Sequence, residues 1–128
     1  MKTYVSKYFT REEVACRCKC GFDTLDAETA KVADDVREFE GEGITPNSCC
    51  RCIKYNRKVQ FKHTTKRPVT NTSQHLYGRA MDLPVKDPKA TYDYLCKKYP
   101  GKYGFGLYTK AGFVHVDTKT GGARRWGK

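Results

Sequence analysis

Residues 112–118 read Gly-Phe-Val-His-Val-Asp-Thr, and this strict alternation constrains the chain more than any other feature. In an extended strand successive side chains face opposite ways, so Phe113, His115 and Asp117 share one face and Val114 and Val116 the other. Two valines mark their side as the apolar core. A histidine and an aspartate then look out of the opposite side of the same sheet. The preceding "KYGFGLY" reads as a second strand, joined to the first by the turn "TKAG". Upstream, "RAMDLPV" alternates as well, with Ala80 and Asp82 on one face and Met81 and Leu83 on the other. Pro84 suits the end of that strand or a sheet edge, where its missing N–H costs nothing.

Helical signals surround these strands. Thr10 followed three residues later by Glu13 is a capping-box pattern for a short helix or turn. A longer helix is predicted from Ala27 to Phe39, with Asp26 as N-cap, Val32, Val36 and Phe39 on one face, and Gly41 and Gly43 ending it. "ITPNS" reads as a short extended segment and "RCIKYNRKVQ" as a turn or short helix. From Phe61 to Gln74 the chain is polar without a period, which predicts a loop. Asp87 and Pro88 open a further helix through Lys98, with Tyr92, Leu95 and Tyr99 inward. The expected plan is α+β, a small and mainly antiparallel sheet packed with helices. At 128 residues it is expected to form one domain over 1–128.

Charge and cysteines narrow the classes of function. The formal charge of +11 arises from 25 Lys and Arg against 14 acids and favours a polyanionic partner: nucleic acid, lipid head groups or an anionic cell wall. The basic residues are scattered rather than set in a helical stripe, so nucleic acid is not expected. No run approaches the roughly 20 apolar residues of a membrane span. The opening "MKTYVSKYFTREE" lacks the apolar stretch of a secretory signal, which predicts synthesis in the cytoplasm without a signal peptide. Of seven cysteines, Cys16, Cys18 and Cys20 form one cluster, Cys49, Cys50 and Cys52 another, and Cys96 stands alone. If the fold joins the clusters they could supply thiolates for a structural metal; paired or metal-bound cysteines on one side and plainly reduced ones on the other are equal alternatives.

"SQHLYGRAMD" places His75 and Asp82 seven positions apart, with Gly78 between them. Together with His115 they make two imidazoles and one carboxylate, a sufficient set for a catalytic zinc that leaves one position to water. Such an ion acidifies water and polarises a carbonyl. Histidines in polar loops are more often simply solvated, and His63 is read that way. Spacing alone leaves the choice open.

These residues also carry a resemblance. "SQHLYGRAMD" resembles the Ser-x-His-x-x-Gly-x-Ala-x-Asp motif of the zinc D-alanyl-D-alanine peptidases, the superfamily that includes cell-wall carboxypeptidases, phage endolysins and the Hedgehog amino-terminal domain. "GFVHVDT" resembles its second motif, "YFTREEVACRCKCGF" the entry segment of one small branch, "NSCCRCIKYN" its arginine-bearing turn, and "YGFGLY" the strand before the last ligand. The resemblance implies the Hedgehog/DD-peptidase-like fold, with His75, Asp82 and His115 as zinc ligands. It implies Arg51 as the arginine aimed at the substrate carbonyl or carboxylate, with a structural ion pair as the alternative. Ser73 and Gln74 would hydrogen-bond the peptide, or simply form a turn; Tyr108 and Trp126 would line the cleft, or simply pack.

Two departures stand out. Many relatives carry a catalytic carboxylate three residues before the last histidine, where this chain has Gly112. Asp117 is the nearest substitute, either as general base or as a residue orienting a ligand. Cys49 and Cys50 also replace a common glycine and a variable residue beside Arg51. The implied function is zinc-dependent hydrolysis of amide bonds next to D-amino acids in peptidoglycan stem peptides or cross-links, by a monomer that reaches the anionic wall after release, as a phage endolysin does. The alternatives are a non-catalytic zinc-containing wall-binding module and a cysteine-rich zinc module for nucleic acid.

Overall fold

The structure is a computed structural model that describes residues 3–63 and 73–127. Helices α1 (Arg11–Val14), α2 (Ala27–Glu40) and α3 (Ile53–His63) precede a 3-10 turn at Gln74–Tyr77 and strand β1 (Ala80–Pro84). Helix α4 (Pro88–Lys98) follows, then strands β2 (Gly104–Tyr108), β3 (Phe113–Asp117) and β4 (Arg124–Gly127). The sheet order is β1-β3-β2-β4, with β3 antiparallel to both neighbours and β4 parallel to β2.

The caps act as the sequence predicts. Thr10 and Glu13 exchange both hydrogen bonds of a capping box. The Asp26 carboxylate accepts from the amides of Glu28 and Thr29, and Gly41 closes α2 in the left-handed region. Helices α2 and α4 lie against one face of the sheet. Val32, Val36 and Leu95 are buried there with Met81, Leu83, Phe105, Val114 and Val116, as the alternation requires. Tyr92 and Tyr99 pack partly buried against this core.

Three expectations need correcting. Phe39 does not join Val32 and Val36 in the core; it is 46% exposed and stacks on Tyr94 of α4, with ring centroids 4.3 Å apart. The predicted loop from Phe61 to Gln74 begins too early, because α3 runs through His63, and Gln74 already belongs to the 3-10 turn. Residues 64–72 and the His63 side chain lie outside the described residues. Finally, "RRWG" near the C-terminus is a fourth strand, which makes the sheet mixed.

The outer edge of β1 is covered rather than bare. The Asn47 amide donates to the Asp82 carbonyl and the Asp82 amide to the Ser48 carbonyl, at 2.8 and 2.9 Å. The turn that carries Arg51 is thereby tied to the strand that carries Asp82, on the sheet face opposite α2 and α4.

Candidate functional site

Each candidate ligand is delivered by a different backbone device. Asp82 and His115 are direct cross-strand partners in the β1–β3 pair. Two residues whose faces match in register must have adjacent side chains. His75 arrives from the 3-10 turn, whose first amides are capped by the Ser73 hydroxyl at His75 N. Gly78 ends that turn at φ +64°, and a Cβ there would meet the Thr24 carbonyl oxygen at 2.0 Å. Only glycine fits both constraints. The seven-residue spacing of His75 and Asp82 is therefore one short turn, a left-handed reversal and the first half of a strand.

The three side chains converge. One ligand atom from each of His75, Asp82 and His115 lies within 4.8 Å of the others. The Nε2 of His75 is 3.4 Å from Asp82 Oδ2, and the Nδ1 of His115 is 2.9 Å from Asp82 Oδ1. The far nitrogen of each ring is occupied. His75 Nδ1 is 2.6 Å from the Cys49 carbonyl oxygen, which can only accept, so Nδ1 carries the proton and the Nε2 lone pair faces the site. His115 Nε2 is 2.8 Å from Asp117 Oδ2, so His115 presents Nδ1. Two oriented imidazoles and one carboxylate fit a divalent ion with N and O preference and an open position.

Charge is concentrated here. Burial would raise the Asp82 carboxyl, but the hydrogen bond from His115 and the neighbouring His75 ring outweigh it and hold the group well below the usual carboxylate range. Burial also pushes His75 below the ordinary imidazole value, which keeps its ring neutral. Burial pulls His115 the same way, yet its contacts with Asp117 and Asp82 raise it to about 9. Asp117 is 2% exposed. Its Oδ1 accepts from Arg124 and the Lys119 amide, and its Oδ2 from His115 and Arg124.

Arg51 flanks the group. Its Nε donates to the Ser48 hydroxyl at 2.8 Å, Nη1 to Asn56 Oδ1 at 3.4 Å and Nη2 to Asp82 Oδ2 at 3.3 Å. Burial lowers its pKa while Asp82 opposes the shift. A cleft of about 480 Å³ opens beside it, lined by Asn47, Ser48, Tyr55, Lys58, Asp82 and Phe113. On the other flank the Trp126 ring lies 5.2 Å from that of His115 and donates its N–H to the Tyr108 hydroxyl at 2.9 Å.

The glycines of β2 make this crowding feasible. Gly106 is the register partner of His115, and a Cβ on it would meet the Trp126 indole at 2.5 Å. Gly104 pairs with Asp117, and a Cβ there would meet its carboxylate at 2.6 Å. Gly112 sits at φ +80° in the β2–β3 turn, where its amide donates to the Tyr108 carbonyl. A position with left-handed backbone suits glycine.

Sequence reading missed Arg124, the ion-pair partner of Asp117, and Ser48 and Asn56, which hold Arg51. Period two in "RRWG" would have put Arg124 and Trp126 on one face. Nothing in the sequence points to the Cys49 carbonyl, because a backbone acceptor has no residue signature. A family model described as Peptidase M15 matches residues 7–117. No curated protein and no solved structure matches the chain.

Proposed function

The chain belongs to the peptidase M15 family, and on that premise we propose that it is a zinc-dependent peptidase of the bacterial cell wall. It hydrolyses amide bonds next to D-amino acids in peptidoglycan stem peptides or cross-links. The observation that carries this reading is the convergence of His75 Nε2, Asp82 and His115 Nδ1 with both outward ring nitrogens already engaged. His75, Asp82 and His115 would hold the zinc, which would supply Lewis acidity to a water and to the scissile carbonyl.

The remaining work falls to the chain's own side chains. Arg51, fixed by Ser48 and Asn56, sets a cation at the edge of the cleft, where it steadies negative charge developing on the peptide oxygen or holds the substrate carboxylate. Lys58 on the same cleft adds a second cation suited to an anionic stem peptide. Tyr108 and Trp126 wall the opposite flank beside His115. Gln74 and Ser73 neighbour the ligand loop as peptide contacts; the Ser73 hydroxyl accepts from the His75 amide and keeps its own hydrogen to donate.

Asp117 had two candidate roles, and its engagement with His115, Arg124 and the Lys119 amide supports positioning over proton transfer. It holds the His115 ring in the tautomer that offers Nδ1. The excess of positive charge suits the anionic wall and its attached polymers.

A second reading, a wall-binding module that keeps the metal but lacks turnover, is favoured by two observations: position 112 carries no carboxylate, and Asp117 is fully engaged. Mass spectrometry of purified muropeptides after incubation separates the two. The peptidase reading expects new products whose masses identify the bond cut, and their disappearance on chelation and in His75→Ala. Intact muropeptides with the metal-loaded chain would leave the binding module.

A further inference from the structure

The fold brings together the first cysteine cluster and one member of the second. The Sγ atoms of Cys16, Cys18, Cys20 and Cys52 all lie within 4.8 Å of one another. Cys18 Sγ is 3.4 Å from both Cys16 Sγ and Cys52 Sγ. A tetrahedral zinc with Zn–S bonds of about 2.3 Å sets its sulfurs about 3.8 Å apart, inside the range these thiols already span. Cys49 and Cys50 stand apart from this group, and the Cys50 thiol donates to the Thr24 carbonyl instead.

The local backbone is shaped around these sulfurs. The loop from Cys16 to Phe22 is closed by the Cys16 amide donating to the Phe22 carbonyl at 2.8 Å, and Lys19 turns back at φ +62° to donate to the Cys16 carbonyl. Two amides are aimed at sulfur: Cys52 N–H at Cys16 Sγ and Tyr55 N–H at Cys52 Sγ, both 3.4 Å. Cys52 immediately precedes α3, where unpaired helix amides favour negative charge. Arg17 and Lys19 alternate with the thiols. Four thiolates around a divalent cation carry a net charge of about −2, and these two residues bring positive charge to the same loop.

We propose that Cys16, Cys18, Cys20 and Cys52 bind one zinc ion as a closed tetrathiolate site, structural and separate from the His75–Asp82–His115 group. The site fastens the entry loop to the turn before α3. Arg51 adjoins Cys52 in that turn, and the Cys49 carbonyl that holds His75 lies three residues before it. The tetrathiolate thus sets the backbone from which the peptidase site is oriented, although its existence does not depend on the peptidase reading.

Metal analysis and cobalt spectroscopy of the full chain, purified reduced, test the proposal. The double variant His75→Ala with His115→Ala is expected to retain one zinc per chain and, loaded with Co²⁺, to show intense sulfur-to-cobalt charge-transfer bands. Absence of metal from this variant, or cobalt bound without those bands, would overturn it. Thiol alkylation of the unaltered chain adds a measurement free of any folding defect. Zinc should slow labelling of Cys18 and Cys20 by roughly tenfold or more, reversed by chelation, because a coordinated thiolate is a poor nucleophile. Equal labelling rates with and without zinc would refute the site. Persistence of the tetrathiolate in a chain that never hydrolyses peptidoglycan would instead refute only the peptidase reading.

Discussion

Asp82 is the residue on which the site turns. One carboxylate oxygen faces His115 and the other faces both His75 and Arg51. Asp117 does the complementary work behind the His115 ring. Asp117→Asn is expected to weaken zinc affinity by about 10–100-fold, since the His115 tautomer loses its anchor. A variant that bound zinc normally but lost turnover, together with the acidic limb of its pH profile, would make Asp117 the proton acceptor instead. Arg51→Ala is expected to lower kcat by about 10²–10³-fold with metal retained, and Arg51→Lys should restore little of it, because a point charge cannot reach Ser48, Asn56 and the cleft together. Steady-state kinetics beside metal analysis reads both effects.

Strands rather than helices decide the geometry. The alternation of "FVHVD" and "RAMDLP" was enough to assign the core face and the site face of β3 and β1, and pairing in register then made Asp82 and His115 neighbours. The helices were legible from their caps, because Thr10–Glu13 and Asp26 signal through local hydrogen bonds. What could not be read was non-local. Phe39 has the right period for the core but meets Tyr94 at the surface instead. The C-terminal strand is four residues long and pairs with β2 in parallel, so no hairpin turn announces it. At this scale Gly106→Ala is expected to cost about 1–3 kcal/mol, by forcing the Trp126 indole out of contact with β2. Urea titration measures the loss, and tryptophan fluorescence reports the displaced ring; unchanged stability would show that the indole moves freely.

Across the whole molecule, a sheet with one apolar and one polar face divides stability from chemistry. Helices α2 and α4 seal the first face, while the turn at Asn47–Cys52 and the 3-10 turn gather round the candidate ligands on the second. Any ion bound only by the folded form stabilises that form. Chelation should therefore lower the thermal midpoint measurably, and zinc should restore it. The charge of +11 sets a further expectation. Cleavage of intact cell walls should fall as salt rises from low to physiological ionic strength, whereas cleavage of a small soluble muropeptide should change little. Equal salt dependence for both would remove the long-range field from the account.

As proposed, three side chains remote in sequence hold one cation in a site with an open position. Anomalous diffraction at the zinc edge, on crystals grown with zinc, tests it most directly. A peak is expected between His75 Nε2, His115 Nδ1 and the Asp82 carboxylate. A map with density among the cysteines alone, and none between those two rings, would contradict it.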